Sequence, residues 1–544
     1  MKTARFRRGA AAAGSGMAHP GIATLVLLLA ACGPSTMSAP ASAAATGAGA
    51  TTSPFAAPAF TPVFASAPCP EDIIAVVVDP PACGYLTVLE DRSRPTGRTI
   101  RIFVARIDPP GGTTTPDPML GLGGSLGEQV EYGGVAPGAA RTHRQLYVVD
   151  MRGIGHSEPG LDCPEVRAAG PALAGLPLAD PAHRTTLVAA VRACHDRLTG
   201  AGIDLAAYDL AADAADLEDL RTTLGIARWN VGANGTSSRI GFELAARYPD
   251  GIRAMYADSP ALPAPDPVSV GAAAMDAALD HLATMCSADT ACSLEAPDLR
   301  VAVDEAVAKL DAHPLAFDVR DIPAATQLGH PVHVVVDGAA LLRWFRASLG
   351  DNGGSDAARV VTDALRVLDG RVTATDPLVV ALASDPGDCL GLLPGCDRIA
   401  FGALYSIECR DLSPVVDRAA IDQAVRGRQA WAELFAPEVI LAPCDAWSVA
   451  PAVARPATGW AAASVRALLM HGAMDPYTVP STTLADVAAS DPNASVLEIP
   501  NQSYNVLGYT DCPRAIRNAW LDLASGPPAD TSCLAQIRPL ELQP

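Results

Sequence analysis

Short apolar runs bounded by turn residues alternate with stretches of helical spacing through much of the chain. CGYLTVLEDRSRPTGRTIRIFVARI reads as two strands about a turn at Pro95-Thr96-Gly97. Pro118 to Leu122 runs into the glycine-rich GGSLG, and Gln145 to Asp150 (QLYVVD) is an apolar strand followed by the turn RGIGHS. A helix over Asp213 to Leu224 places Leu217, Leu220 and Leu224 on one face. Strand Arg228 to Val231, a turn, a helix ending near Tyr248 and strand Ile252 to Ala257 follow. Strands alternating with helices at this spacing predict an α/β fold with a mostly parallel sheet.

The pattern changes after Pro260. From about Asp266 to Ala400 it is alanine-rich and helical, for example over Ala274 to Met285 and Leu299 to Leu310, which predicts an inserted helical cap. Sheet spacing resumes with strand Val465 to Met470, a helix around Thr482 to Ala489, strand Ser495 to Ile499 and a last helix, Cys512 to Leu523.

The first residues follow a different logic. MKTARFRR precedes the apolar run IATLVLLLAAC, which is too short for a stop-transfer helix and reads as a secretory leader. Leu29-Ala30-Ala31-Cys32 resembles a bacterial lipobox, so Cys32 is expected to carry a lipid anchor. The Ala-, Ser-, Thr-, Pro- and Gly-rich stretch beyond it reads as a flexible tether. The expected organisation is leader 1–31, tether 32–68, core 69–265, helical cap 266–402 and core 403–544. Export to the outer membrane of a bacterium, facing the periplasm, is the compartment this implies.

Charge and cysteine content narrow the partners. The chain has 59 acidic and 39 basic residues, a formal charge of −20, and loss of Lys2, Arg5, Arg7 and Arg8 with the leader makes it more negative still. Such a surface argues against nucleic acid or an anionic lipid face as partner. Setting Cys32 aside leaves 12 cysteines that fall as neighbours along the chain. Sequential pairing is the simplest connectivity: Cys69 with Cys83, Cys163 with Cys194, Cys286 with Cys292, Cys389 with Cys396, Cys409 with Cys444 and Cys512 with Cys533. With no CxxC and no clustered histidine, neither a metal nor any other cofactor is expected.

Six stretches then carry a family resemblance: CGYLTVLEDRSRPTGRTIRIFVARI, VVDMRGIGHSEPGLDCP, AADAADLEDLRTTLGIARWN, ELAARYPDGIRAMYADSP, HGAMDPYTVP and IPNQSYNVLG. From Cys69 to Cys533 the chain resembles the tripeptidyl-aminopeptidase-like, proline-iminopeptidase-type branch of the α/β-hydrolases, exported serine exopeptidases. The resemblance implies the α/β-hydrolase fold with its cap after the sixth strand of the sheet. It also implies a Ser nucleophile at a strand-to-helix turn, then an Asp, then a His, with the Ser attacking a carbonyl and the His carrying the proton.

Asked for those residues, the chain answers differently. WNVGANGTSSRIGFEL aligns without gaps, and the serine position is Gly235, which has no side chain to attack with. Ser237, two residues on, is the nearest substitute, but Arg239 two beyond it would crowd such a turn; Thr236 and Ser238 read as helix caps. The acid position is intact as Asp475. The histidine position is Tyr504, and the last histidine of the chain, His471, precedes the acid. A phenol of pKa near 10 is a poor base at neutral pH. The oxyanion turn reads Gly123-Gly124-Ser125-Leu126-Gly127-Glu128, with Thr236 as the residue after the nucleophile position. Glu128 brings negative charge where negative charge would develop. Glu408 in SIECRD stands where the family can hold a substrate amine, and otherwise reads as a surface glutamate.

Three readings follow. The first is a pseudoenzyme with the groove for a peptide or small-molecule ligand retained. The second is a hydrolase using a non-standard nucleophile such as Ser237. The third is a proton-transfer enzyme, of isomerase or epimerase type, built on Asp475, Tyr504 and Glu128. Membrane contact is expected only through Cys32.

Overall fold

A computed structural model describes residues 60–76, 81–109, 111–113, 115–123, 143–263, 266–350, 356–385, 399–452, 464–540 and 542. A nine-stranded sheet runs through it in the order β1-β2-β3-β5-β4-β6-β7-β10-β11. The strands are β1 (Val63–Ala67), β2 (Ala82–Leu89), β3 (Thr99–Ile107), β4 (Met119–Leu122), β5 (Leu146–Asp150), β6 (Trp229–Asn234), β7 (Ile252–Asp258), β10 (Ala467–Gly472) and β11 (Ala494–Ile499). β1 to β3 and the β3–β5 pair are antiparallel; from β5 to β11 every neighbour is parallel.

The central strands are apolar throughout because helices cover both faces of a parallel sheet. Every residue of β5 and of β10 is buried. The helix Leu210–Thr223 starts where the Asp209 carboxylate accepts from the Ala212 N–H at 2.7 Å, and it buries Ala214, Leu217 and Leu220.

The structure adds elements that the apolar pattern did not predict. Val63–Ala67, read as tether, pairs antiparallel with β2 from Val63 opposite Thr87 to Ala67 opposite Cys83. Helices Pro164–Leu173 and Pro181–Gly200 stand between β5 and Leu210, joined by the Cys163–Cys194 disulfide.

Between β7 and β10 a second hydrophobic core forms from helices Pro267–Ala288, Leu299–Ala312, Gly338–Gly350 and Ala358–Leu368. It also takes in Trp431 and Phe435 and the hairpin β8 (Leu315–Val319) to β9 (Val332–Val336). Among the described residues there are five disulfides, Cys69–Cys83, Cys163–Cys194, Cys286–Cys292, Cys409–Cys444 and Cys512–Cys533. Cys389 and Cys396 lie outside the described residues, as does Cys32. Among the described residues no helix is long and apolar enough to cross a membrane.

Candidate functional site

β6 lies between β4 and β7, with Ala233 opposite Leu122 on one side and Ala257 on the other. At its end the chain turns through Gly235–Ser237 into the helix Ser238–Arg247. Gly235 is buried and holds φ +57°. A strand, a sharp turn with positive φ at its apex and a helix make up a nucleophile elbow. Glycine takes that conformation without the Cβ clash that makes it costly for other residues. The turn therefore keeps its shape with nothing on its apex.

The turn is fastened from below. Ser238 Oγ donates to the Gly235 carbonyl at 2.7 Å and accepts from the Ala261 N–H at 3.0 Å, which ties the elbow to the segment leaving β7. Ser237 is buried, and its hydroxyl donates to the Asn234 carbonyl at 2.8 Å. Its backbone is already helical, at φ −68° and ψ −12°, so it does not share the apex conformation. Thr236 is partly buried in the same turn.

Tyr504 reaches this turn from the loop after β11. Its hydroxyl donates to Asn234 Oδ1 at 2.9 Å, across 270 residues of sequence. The fold thus brings the histidine position to the neighbour of the serine position. The Tyr504 ring meets Tyr477 edge-on at 5.5 Å between centroids.

Asp475 lies in the loop after β10, buried, and its bonds stay within its own turn. Oδ1 accepts from the Tyr477 and Thr478 N–H groups at 2.9 and 3.3 Å, and Oδ2 from the Thr478 hydroxyl at 2.6 Å. This is an Asx-type turn. Tyr504 is not among its partners, so the acid and base positions are neighbours in the fold without a hydrogen bond between them.

Gly123 follows directly on β4. Gly124, Ser125 and Glu128 lie outside the described residues. His471 is buried on β10, opposite Glu498 of β11 in register, with Nε2 3.6 Å from Glu498 Oε2. Neither ring nitrogen has a hydrogen-bond partner among the described residues, and burial lowers its pKa.

Three groups escaped sequence reasoning. Asn234 links Tyr504 to β7, its amide donating to the Asp258 carbonyl at 3.3 Å. Asp258 ends β7 and accepts from the Val506 and Leu507 N–H groups, both at 2.9 Å. Burial still pushes its carboxyl up to about 7, with the nearby Asp475 charge acting in the same direction. Arg239 is 5% exposed, and its Nε and Nη1 have no partner among the described residues. Glu408, partly buried at the start of a single π-helical turn, feels the Arg239 charge without bonding to it; desolvation pushes its carboxyl up to about 7. The sign available was composition: an arginine inside an otherwise small-residue turn sequence.

The order of the strands, the elbow after β6, the loops after β10 and β11 and the helical layer between β7 and β10 define the α/β-hydrolase fold. The family model described as alpha/beta hydrolase fold matches residues 120–292. The chain is similar to several solved structures. Proline iminopeptidase from Mycobacterium smegmatis has 14% identity and a TM-score of 0.35, covering 78% of this chain and 94% of its own. An alpha/beta hydrolase fold protein from Chitinophaga pinensis has 13% identity and a TM-score of 0.31, with the same two coverages. An alpha/beta hydrolase from Novosphingobium aromaticivorans has 12% identity and a TM-score of 0.31, covering 76% of this chain and 92% of its own. No curated protein matches the sequence. Likenesses of this size leave activity to be argued from the site itself.

Proposed function

We propose that this protein binds with the hydrolase scaffold and does not cleave with it. It is a pseudoenzyme of the tripeptidyl-aminopeptidase-like type that keeps a groove for a peptide or small-molecule ligand beside the Gly235 turn. The observation that carries the reading is Gly235 itself, at the apex of the elbow with φ +57° and no side chain. The rest of the machinery is consistent with it. Tyr504 stands in for the imidazole with its hydroxyl bonded to Asn234, and the Asp475 carboxylate serves its own loop.

The other two readings have less support. Ser237 would have to give up its bond to the Asn234 carbonyl and leave a helical backbone conformation. A proton relay from Asp475 to Tyr504 lacks the hydrogen bond it needs.

The location that fits is outside the cytoplasm, on a lipid anchor at Cys32 in the outer membrane of a bacterium. Five disulfides support an oxidising compartment.

The test is turnover by the purified chain of aminoacyl and tripeptidyl p-nitroanilides and short-chain p-nitrophenyl esters. No rate above buffer is expected. Turnover abolished by Ser237→Ala would replace this reading with the hydrolase one.

A further inference from the structure

Three of the six arginines buried among the described residues are paired with a carboxylate. Arg152, 2% exposed, donates Nε and Nη2 to the two oxygens of Asp216 at 2.9 and 2.8 Å, and Arg144 donates to Asp522 at 2.9 Å. Buried Arg343 is likewise paired with Asp385. Such pairing offsets the desolvation of the guanidinium.

Arg517 bonds Asn518 and Tyr256 instead, and two equally buried arginines near the Gly235 turn have no carboxylate within hydrogen-bond distance among the described residues, although Glu408 and Asp266 lie near Arg239 and Asp475 near Arg346. Arg239, four residues after Gly235, leaves Nε and Nη1 without a hydrogen bond among the described residues. Arg346, 6% exposed on the helix Gly338–Gly350, makes one hydrogen bond among them, from Nε to the Pro476 carbonyl at 3.0 Å. That carbonyl belongs to the residue after Asp475. The Arg346 guanidinium otherwise lies over two aromatic rings, Tyr477 at 5.1 Å and Phe435 at 5.2 Å. Tyr477 in turn meets Tyr504, so the cation joins the site through a continuous run of rings.

Both arginines face the start of one helix, Pro267–Ala288. The Asp266 that caps it lies near enough to Arg239 to act on its charge, and a Cβ placed on Gly271 would lie 3.0 Å from Arg346 Nη2. Desolvation lowers the pKa of each guanidinium to about 10, which leaves both charged at neutral pH. Leaving buried guanidinium N–H donors without an acceptor is costly unless a ligand supplies one.

We propose that Arg239 and Arg346 form the anion-binding part of a ligand site at the Gly235 turn, which takes a small molecule or peptide end bearing a carboxylate. A planar guanidinium suits a carboxylate through paired N–H donors. The nearby carboxyls of Glu408, Asp266, Asp258 and Asp475 favour a monoanion over a phosphate dianion by like-charge repulsion. This inference rests on the binding reading of the site and names the ligand class for it.

The test compares N-acetyl-leucine with N-acetyl-leucinamide by titration calorimetry on the purified chain. The two probes differ in the carboxylate and little else. The acid is expected to bind at least tenfold more tightly than the amide. Arg239→Met and Arg346→Met, which keep most of the volume, should each remove that preference while leaving the ligand-free protein at least as stable to urea. Equal binding of acid and amide, including no binding of either, overturns the proposal, and so does a preference that survives both substitutions. Chromatography of the recovered amide separates the two levels of the argument: hydrolysis to the acid would defeat the binding reading, whereas an intact amide with equal affinities defeats the anion site alone.

Discussion

At Gly235, on which the proposed function rests, the backbone conformation is itself measurable. At φ +57° a side chain brings Cβ against the following carbonyl, a strain of about 1–2 kcal/mol. Gly235→Ser is therefore expected to lower stability by about that amount in urea denaturation, with far-UV circular dichroism unchanged. An increase in stability would mean that the turn relaxes out of the elbow conformation. Tyr504→Phe removes the hydrogen bond to Asn234 and should cost about 1 kcal/mol in urea denaturation. At this scale the sequence was informative wherever a motif fixed the register. The places of Gly235 after β6, Asp475 after β10 and Tyr504 after β11 followed from the apolar strands read just before them. The contact between Tyr504 and Asn234 was not legible, since no local pattern reports a hydrogen bond made across the whole sheet.

Legibility at the scale of elements followed the strength of the period. The helix expected over Asp213 to Leu224 runs from Leu210 to Thr223, and the strands expected at Gln145, Ile252 and Ser495 are found within a residue or so. Val63–Ala67 was missed because five weakly apolar residues next to a tether-like stretch gain their structure from pairing with β2, which the local sequence does not encode. The helix Pro164–Leu173 carries a proline at its interior position 171 and few large apolar residues, so its pattern was faint. Its stability depends on the bridge to the next helix. Replacing Cys163 and Cys194 together by alanine is expected to cost about 2–4 kcal/mol, read as a lower urea midpoint, because the bridge closes a loop with a sequence separation of 31. Arg346 belongs to the same lesson. It stands on a helix of the alanine-rich layer, and only the packing of that layer against the loop after β10 shows where its guanidinium goes.

Over the whole molecule, buried carboxyls set how stability responds to pH. Asp258, Glu408 and Asp411 each have the carboxyl pushed up to about 7, chiefly by burial. Their unfolded values are near 4, so between those limits the folded chain binds more protons than the unfolded one. Their contribution to stability is full below about pH 4, is lost as pH rises through 7, and is constant beyond. His281 and His471, lowered by burial, act in the opposite direction below their unfolded value. The sign is best isolated at one site: Asp411→Asn should gain melting temperature relative to the natural chain at pH 8 and lose that advantage at pH 5. An equal effect at both pH values would contradict the assignment. The central claim, a hydrolase scaffold without a nucleophile, is tested most directly by a fluorophosphonate probe on the purified natural chain, followed by mass spectrometry. No adduct on any residue is predicted, whereas a stoichiometric adduct on a hydroxyl of the turn, Ser237 above all, would contradict the account and name the nucleophile.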